Sequence, residues 1–369
     1  MATYIVGYVI IYVSLVKLIL GAEVFPRFKP YKINIKNVSG LFDYTQYQPF
    51  NMIEKELHKI SKSQLKSVEA KLFSIGTTFE NRSLWALKIE EKDTRKLKKN
   101  IVIDCGAHAR EWLAPSTCMY IINKLTLEHP SLRNTKLIKR FNWIIIPVLN
   151  PDGYAYTWHN QSTRLWRKNR SFTEKQINFI NEKNDELCIG VDINRNFDEE
   201  WGGVGAPANP CFEMYAGDKP FSEKESIALS NFLNTTINET LAYISLHAFG
   251  LSWMTPWGFK KQLPKSFNEM KRVAQIAVNA MKKLSGVKYS IGTSHDKLYP
   301  NSGSSIDWAH SKLHIPYTYL IEMLPGNNKT SSIDMSSFMP PPNMMVQNAK
   351  DILEGLSAMA LSLLTPIRM

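Results

Sequence analysis

Residues 101–112 read IVIDCGAHAREW, an apolar run that passes directly into a short polar loop. The run is rich in Ile and Val and lacks the alternation of a half-exposed strand, so it predicts a strand buried on both faces. In the loop, His108 and Glu111 are three positions apart, which lets both side chains converge on one point. A second apolar run, residues 241–246, ends at His247. Strand ends of this kind are where open α/β sheets collect functional residues.

Five apolar runs indicate buried strands, and five segments with a helical pattern accompany them. The strands are predicted over residues 84–89, 101–105, 143–149, 241–246 and 317–323, and the helices over 52–61, 115–128, 223–233, 267–284 and 344–364. Ser222 and Glu225 have the spacing of a capping box, which places a helix start there. Strands that alternate with helices, without any internal repeat, predict a single α/β domain with a largely buried sheet.

The composition is that of a globular protein, with 44% hydrophobic and 21% charged residues among 369. The formal net charge is +12, which could attract nucleic acid. The basic residues are scattered, however, and form no stripe of the kind that nucleic-acid readers use. We therefore expect no nucleic-acid partner.

The first residues, 1–22, are apolar apart from Lys17 and a few hydroxyl-bearing residues, and they predict a signal peptide. A retained membrane anchor is the alternative, because the stretch is just long enough to span a bilayer. No other segment could span. We expect a secreted, extracellular protein without stable membrane association.

Cysteines and glycosylation motifs fit the same route. Cys105, Cys118, Cys188 and Cys211 allow three pairings, of which the nearest-neighbour pairing closes the shortest loops. Asn-x-Ser/Thr sequons indicate a secreted glycoprotein. They begin at Asn37, Asn81, Asn160, Asn169, Asn234, Asn238 and Asn328.

Two histidines and one carboxylate make the ligand set of a catalytic zinc site, which leaves one position open. His108, Glu111 and His247 would supply it, although each alone would be an ordinary polar residue at a strand end. Glu322 lies inside the apolar run 317–323, where an ionised carboxylate is costly without a partner. A buried carboxylate beside a metal is a natural general base.

Two basic motifs could complete a peptidase site. Arg167, in RLWRKNR at 164–170, could polarise a carbonyl oxygen. Asn194 and Arg195, in GVDINRNFD at 190–198, could bind a carboxylate, since the guanidinium is a bidentate donor. The chain thus offers a metal, a base, an oxyanion stabiliser and a substrate anchor.

This pattern resembles the pancreatic-type zinc metallocarboxypeptidases, the family of carboxypeptidases A and B. The likeness runs from about residue 42 to the end, with the motifs in family order. They are GAHAREW at 106–112, NPDGY at 150–154, RLWRK at 164–168, DINRN at 192–196, Tyr299, GSSIDW at 303–308 and the strand of Glu322. The resemblance implies a single catalytic domain with an α/β fold, a mixed eight-stranded sheet flanked by helices. It also favours the nearest-neighbour disulfides.

The resemblance implies a role for each candidate residue. One zinc ion would bind His108, Glu111 and His247, with Glu322 as general base, Arg167 stabilising the oxyanion and Asp192 orienting His108. The substrate would contact Arg110 upstream of the scissile bond, Asn194 and Arg195 at its terminal carboxylate, and Tyr299 as a closing side chain.

Ile306 would form the floor of the pocket for the terminal side chain. B-type relatives have an aspartate there, so an apolar floor predicts A-type specificity. The resemblance places Met254, Leu298 and Leu320 on the walls, whereas Ser294 and Asn301 leave the choice among Phe, Tyr, Leu and Met open.

The chain departs from the family pattern in four places. Phe249 replaces a tyrosine that would donate a hydrogen bond to the substrate. The polar stretch 171–188 is long and predicts a surface loop. Asn169 forms a sequon inside the arginine motif, where a glycan would crowd the cleft, and we expect it to stay bare. We expect residues 23–40 to be a short N-terminal extension without a folded pro-domain, because about twenty residues are too few for an unaided fold.

We therefore expect a zinc exopeptidase over residues 41–369 that releases single hydrophobic or aromatic amino acids from peptide C-termini and acts as a monomer. One alternative is a catalytically inactive homologue that binds peptide C-termini. A second alternative is a related zinc hydrolase of acylated amino acids.

Overall fold

The fold is built on one eight-stranded sheet with helices on both sides. The computed structural model describes residues 42–364 apart from 66, 93–96, 127–131, 184–187, 325–334 and 339. The strands are β1 (Val68–Thr77), β2 (Ser83–Glu91), β3 (Lys99–Cys105), β4 (Phe141–Ile146), β5 (Thr240–Ala248), β6 (Ser252–Thr255), β7 (Ser290–Thr293) and β8 (Tyr317–Met323).

The strand order is β1-β2-β4-β3-β5-β8-β6-β7. Strands β4, β3, β5 and β8 run parallel to one another, whereas β2 is antiparallel to β4 and β6 is antiparallel to β8. The expected mixed eight-stranded sheet is confirmed. The parallel strands at its centre bring the carboxyl ends of β3, β5 and β8 to the same edge of the sheet. The candidate site residues lie at or just after these strand ends.

Ten α-helices lie in the described part of the chain. They are α1 (Phe50–Lys62), α2 (Leu113–Thr126), α3 (Leu132–Arg140), α4 (Pro151–Tyr156), α5 (Glu174–Lys183), α6 (Lys224–Thr235), α7 (Phe267–Ser285), α8 (Ser294–Lys297), α9 (Ser305–Ser311) and α10 (Pro342–Ser362). None of them is long and apolar enough to cross a membrane.

Two hydrophobic cores flank the sheet, because successive side chains of a strand point to opposite faces. Along β3, Ile101, Ile103 and Cys105 enter the first core, and Val102 enters the second. All four are fully buried, as expected for a central strand covered on both sides. Helices α2, α7 and α10 contribute to the first core, and α6 and α9 to the second.

The disulfides Cys105–Cys118 and Cys188–Cys211 confirm the nearest-neighbour pairing. The predicted signal peptide and extension at 1–40 lie outside the described residues.

Two local predictions were wrong. Helix α6 begins at Lys224, one residue from its predicted start, but the predicted capping box is absent: Glu223 is the N-cap, no side chain caps the helix, and the Ser222 hydroxyl donates to Glu223. The polar stretch 171–188 contains helix α5 rather than only a loop. Gln176 of that helix is buried and donates to the carbonyls of Cys188 and Gly190, which ties the helix to the chain that follows.

Candidate active site

The loop after β3 is shaped by Gly106, which has a positive φ of 68°. A Cβ atom there would lie 3.0 Å from Pro115, so the position favours glycine by both conformation and space. The carbonyl oxygens of Cys105 and Gly106 accept hydrogen bonds from the backbone of Leu149 and Asn150. This turn carries the chain from the sheet edge into α2 and presents the side chains of residues 108 and 111.

His108, Glu111 and His247 form one buried group, in which one potential ligand atom of each lies within 4.8 Å of the others. His108 Nδ1 is 2.7 Å from Glu111 Oε1, and His247 Nδ1 is 3.0 Å from Glu111 Oε2. The two Nδ1 atoms are 3.1 Å apart. The predicted ligand set therefore comes together.

The outward ring nitrogens of both histidines have partners of their own. His108 Nε2 lies 3.1 Å from Asp192 Oδ1, and His247 Nε2 lies 3.0 Å from Ser245 Oγ. Both Nδ1 atoms therefore face the carboxylate of Glu111. Two imidazole nitrogens and a carboxylate that share one focus are the donors zinc prefers, so the residues present fit a zinc ion.

The pKa of Glu111 reflects its burial and its two histidine neighbours. Burial acts to raise the pKa, but His108 and His247 outweigh burial and hold it well below its usual range. The carboxylate is therefore ionised at neutral pH, which is the form that binds a metal.

Glu322 on β8 is the register partner of His247 on β5, so the two residues lie side by side at the sheet edge. Burial, and then the nearby Glu111 carboxylate, raise the pKa of Glu322 to about 7. Its Oε2 atom makes no hydrogen bond within the described residues. A Cβ atom at Gly250 would come within 2.9 Å of the Glu322 Cβ, so only glycine leaves this side chain its present place.

Arg167 and Asp192 form a buried ion pair behind the metal group. Asp192 Oδ2 accepts from Arg167 Nε at 3.0 Å and from Nη2 at 2.8 Å. Burial acts to raise the pKa of Asp192, but Arg167 and then His108 hold it well below its usual range. Burial lowers the pKa of Arg167, but Asp192 more than offsets it, so the arginine stays charged. The predicted oxyanion arginine and the predicted partner of His108 are thus one unit.

The residues predicted to bind the terminal carboxylate, Asn194, Arg195 and Tyr299, also contact one another, and together they form a carboxylate clamp. Arg195 Nη2 donates to the Tyr299 hydroxyl at 2.8 Å, and its Nη1 donates to the carbonyl of Asn194 at 2.7 Å. Asn194 Oδ1 accepts from the backbone of Ser305, which orients its amide. Tyr299 is 41% exposed, so its ring lies at the surface above the buried arginine.

Arg110, the predicted contact for the upstream part of the substrate, forms an ion pair with an acidic side chain. Its guanidinium donates to both carboxylate oxygens of Glu213, at 2.7 and 3.1 Å, and lies 4.5 Å from the centre of the Phe338 ring. Phe338 also contacts Phe249, at 4.8 Å between ring centres. Sequence reasoning missed Glu213, because 103 positions separate it from its partner and no motif marks it.

The residues assigned to the specificity pocket lie on one side of the sheet. Ile306, Met254 and Leu320 are buried in the second core, with Leu298 packed against it. Ser294 and Asn301 are also buried and are joined by a hydrogen bond of 3.4 Å.

Asn169 is fully buried, and its side chain joins three segments. Its Nδ2 donates to Glu223 at 2.6 Å and to Glu225 at 3.1 Å, and its Oδ1 accepts from the backbone of Val191. A glycan on Nδ2 would break both donated bonds. This burial supports the expectation that the sequon stays bare in the folded protein.

The parallel strand ends hold a His-Glu-His metal group beside a buried carboxylate and an arginine. This arrangement defines the class of zinc-dependent hydrolases. A family model described as zinc carboxypeptidase matches residues 56–355. The chain belongs to the zinc carboxypeptidase family.

Relatives of several types are similar to this chain. Carboxypeptidase O of Homo sapiens is 36% identical over 285 residues, which cover 76% of this chain and 71% of the relative. Carboxypeptidase B of Astacus astacus is 33% identical over 320 residues, which cover 86% and 97%. The solved structure of carboxypeptidase A from Helicoverpa armigera has a TM-score of 0.77 at 26% identity and covers 89% of this chain and 76% of its own.

Proposed function

We propose that residues 41–369 form a zinc-dependent exopeptidase that hydrolyses the C-terminal peptide bond and releases one amino acid at a time. The observation that carries this proposal is the combination of the metal group with a cationic clamp. Arg195, Asn194 and Tyr299 are linked to one another, and the Arg167–Asp192 pair connects to the metal ligand His108.

His108, Glu111 and His247 would hold one zinc ion per chain. When bound, zinc polarises a substrate carbonyl and lowers the pKa of a water molecule to about 7. Glu322 would take the proton from the attacking water and return it to the leaving amine.

Arg167 would donate to the oxygen that becomes negative in the transition state. Its two bonds to Asp192 fix the guanidinium before the substrate arrives, and such preorganised donors are among the largest contributions to catalysis. The same carboxylate holds His108, so one buried aspartate orients both the oxyanion donor and a metal ligand.

The clamp explains why only terminal bonds would be cut. The Arg195 guanidinium and the Asn194 amide suit a terminal carboxylate, and Tyr299 lies above them to close the site. An internal bond offers no free carboxylate, so endopeptidase activity should be negligible.

Specificity for hydrophobic or aromatic terminal residues rests on Ile306. The relatives include carboxypeptidases A, B and O, so family membership alone leaves the preferred side chain open. A fully buried isoleucine offers no counter-charge, and burying an unpaired lysine or arginine would cost several kcal/mol.

The substrate partners would be peptide or protein C-termini. We propose a secreted monomer, and two disulfides fit the oxidising environment that such a protein meets.

Hydrolysis of blocked dipeptides tests the proposal. We expect kcat/KM for substrates that end in Phe or Leu to exceed that for substrates ending in Lys or Arg by at least about tenfold. This ratio corresponds to about 1.4 kcal/mol. A dipeptide with an amidated C-terminus is the matched control, since it lacks only the charged carboxylate, and it should not be cut.

Each alternative has its own outcome. Binding of the dipeptide without any hydrolysis would indicate the inactive homologue, against which the complete set of metal, base and arginine residues argues. Hydrolysis of an acetylated amino acid but not of the dipeptide would indicate the acyl hydrolase.

A further inference from the structure

His247 is supported from behind by a chain of two hydrogen bonds. Its Nε2 lies 3.0 Å from Ser245 Oγ, and Ser245 Oγ donates to Asp104 Oδ1 at 3.0 Å. Asp104 and Ser245 are each 1% exposed, and His247 is not exposed at all. The other histidine, His108, instead contacts the Asp192 carboxylate directly.

The sheet itself creates this chain. Asp104 on β3 and Ser245 on β5 are register partners in a parallel pair. Residues two positions apart along a strand point to the same face, so Ser245 and His247 are aligned. The three side chains therefore form one row that leads from the sheet interior to its carboxyl edge.

We propose that Ser245 and Asp104 are positioning residues that fix the tautomer of His247 for the metal. Ser245 Oγ donates to Asp104 Oδ1, and an ionised Asp104 carboxylate can only accept, so the single hydroxyl proton of Ser245 is directed to it. The serine oxygen then accepts from His247, which places the imidazole proton on Nε2. The Nδ1 lone pair, 3.0 Å from Glu111, is left for the metal.

Removing the hydroxyl would release this constraint. The imidazole proton could then move to Nδ1 and bond to the Glu111 carboxylate, which would block the ligand position. Partners of metal-bound histidines typically change metal affinity by about 10- to 100-fold when they are lost. The inference rests on the zinc centre of the proposed function, because the tautomer matters only if His247 binds the metal.

The test measures the zinc dissociation constant of the whole chain by competition with a chelator. Ser245→Ala should raise the constant by about 10- to 100-fold. Thr318→Val is the matched control, because Thr318 on β8 carries a buried hydroxyl that has no hydrogen bond within the described residues. It should bind zinc within about twofold of the unmodified protein. Circular dichroism of the metal-free proteins checks that each variant folds.

A second variant tests whether Asp104 acts through Ser245. Asp104→Leu removes the acceptor and should weaken zinc binding in the unmodified chain, but add little in the Ser245→Ala background. If one variant does not fold, the other decides alone.

Three outcomes distinguish failure of the proposed zinc site from failure of the positioning role of Ser245 or of Asp104. No zinc binding by the unmodified chain would contradict the proposed function itself. Tight binding by the unmodified chain and unchanged binding by Ser245→Ala would overturn the positioning role. Equal losses from Asp104→Leu in both backgrounds would remove Asp104 from it.

Discussion

Replacing Asp192 by Asn should destabilise the metal-free protein, whereas the same substitution at Asp307 should not. Both carboxyls are fully buried, but their surroundings are opposite. Asp192 accepts two hydrogen bonds from Arg167 and one from the backbone of Asn194, at 2.9 Å. Asp307 accepts from the backbone of Gly258 at 2.8 Å and forms no ion pair within the described residues.

The expected magnitude follows from what each substitution leaves behind. An Asn at 192 leaves the Arg167 guanidinium, whose side chain is only 10% exposed, without a negative partner. Breaking a buried ion pair in this way costs about 3–5 kcal/mol. At 307, burial raises the pKa of the carboxyl to about 7. A neutral amide there removes a charge that the fold disfavours.

The dependence on pH has opposite signs. The pKa of Asp192 is depressed, so its contribution to stability is present above the unfolded value of about 4 and is lost as the pH falls. The pKa of Asp307 is raised, so the folded state binds its proton more tightly than the unfolded chain, and stability falls as the pH rises toward 7.

Urea unfolding in the presence of a chelator, followed by tryptophan fluorescence between about pH 3 and pH 8, measures both effects, because the Asp192 contribution changes below about pH 4 and the Asp307 contribution changes between about pH 4 and pH 7. We expect Asp192→Asn to lose about 3–5 kcal/mol at pH 8, and Asp307→Asn to be as stable as the unmodified chain or more so. Similar losses from both substitutions would refute the reasoning, since they would reflect packing at buried sites rather than charge pairing.

Three further predictions concern activity. Glu322→Gln should keep zinc but lower peptide hydrolysis by at least about 10²-fold, because a base and not a ligand is removed; more than a tenth of normal turnover would exclude this role. Ile306→Asp should shift kcat/KM toward terminal Lys and Arg, since it supplies a counter-charge, and matched peptides ending in Phe and Lys measure the ratio. Chelation of the metal should abolish hydrolysis and added zinc should restore it, and activity that persists in metal-free protein would contradict a zinc mechanism.

The sequence predicts the centre of the sheet better than its margins. Residues 84–89, 101–105, 143–149, 241–246 and 317–323 all lie in observed strands or run beyond one by a few residues, because long apolar runs have few alternatives to a buried strand. Strands β6 and β7 have four residues each, too few for a periodic signal. Strand β1 alternates buried and exposed positions only in its first half.

Helix α6 shows why local motifs mislead. Ser222 and Glu225 have capping-box spacing, yet Glu225 is buried and bonds to Asn169, 56 positions away. Tertiary contacts of this length carry no local signal. The sequence brings His108, Glu111 and His247 together as candidates because their residue types form a zinc ligand set. It gives no hint of Glu213 beside Arg110 or of Asp104 behind Ser245, because no motif joins these distant positions.

The pairing of β3 with β5 joins Asp104 to Ser245 across 141 positions of chain. Contacts between such distant segments form slowly, because closing a long loop costs conformational entropy before the contact can stabilise the chain. The same pairing brings the three metal ligands to one point, so we expect tight metal binding to follow the pairing of these strands. Zinc would then stabilise the native state by mass action. During refolding, tight zinc binding should therefore appear only after β3 and β5 have paired.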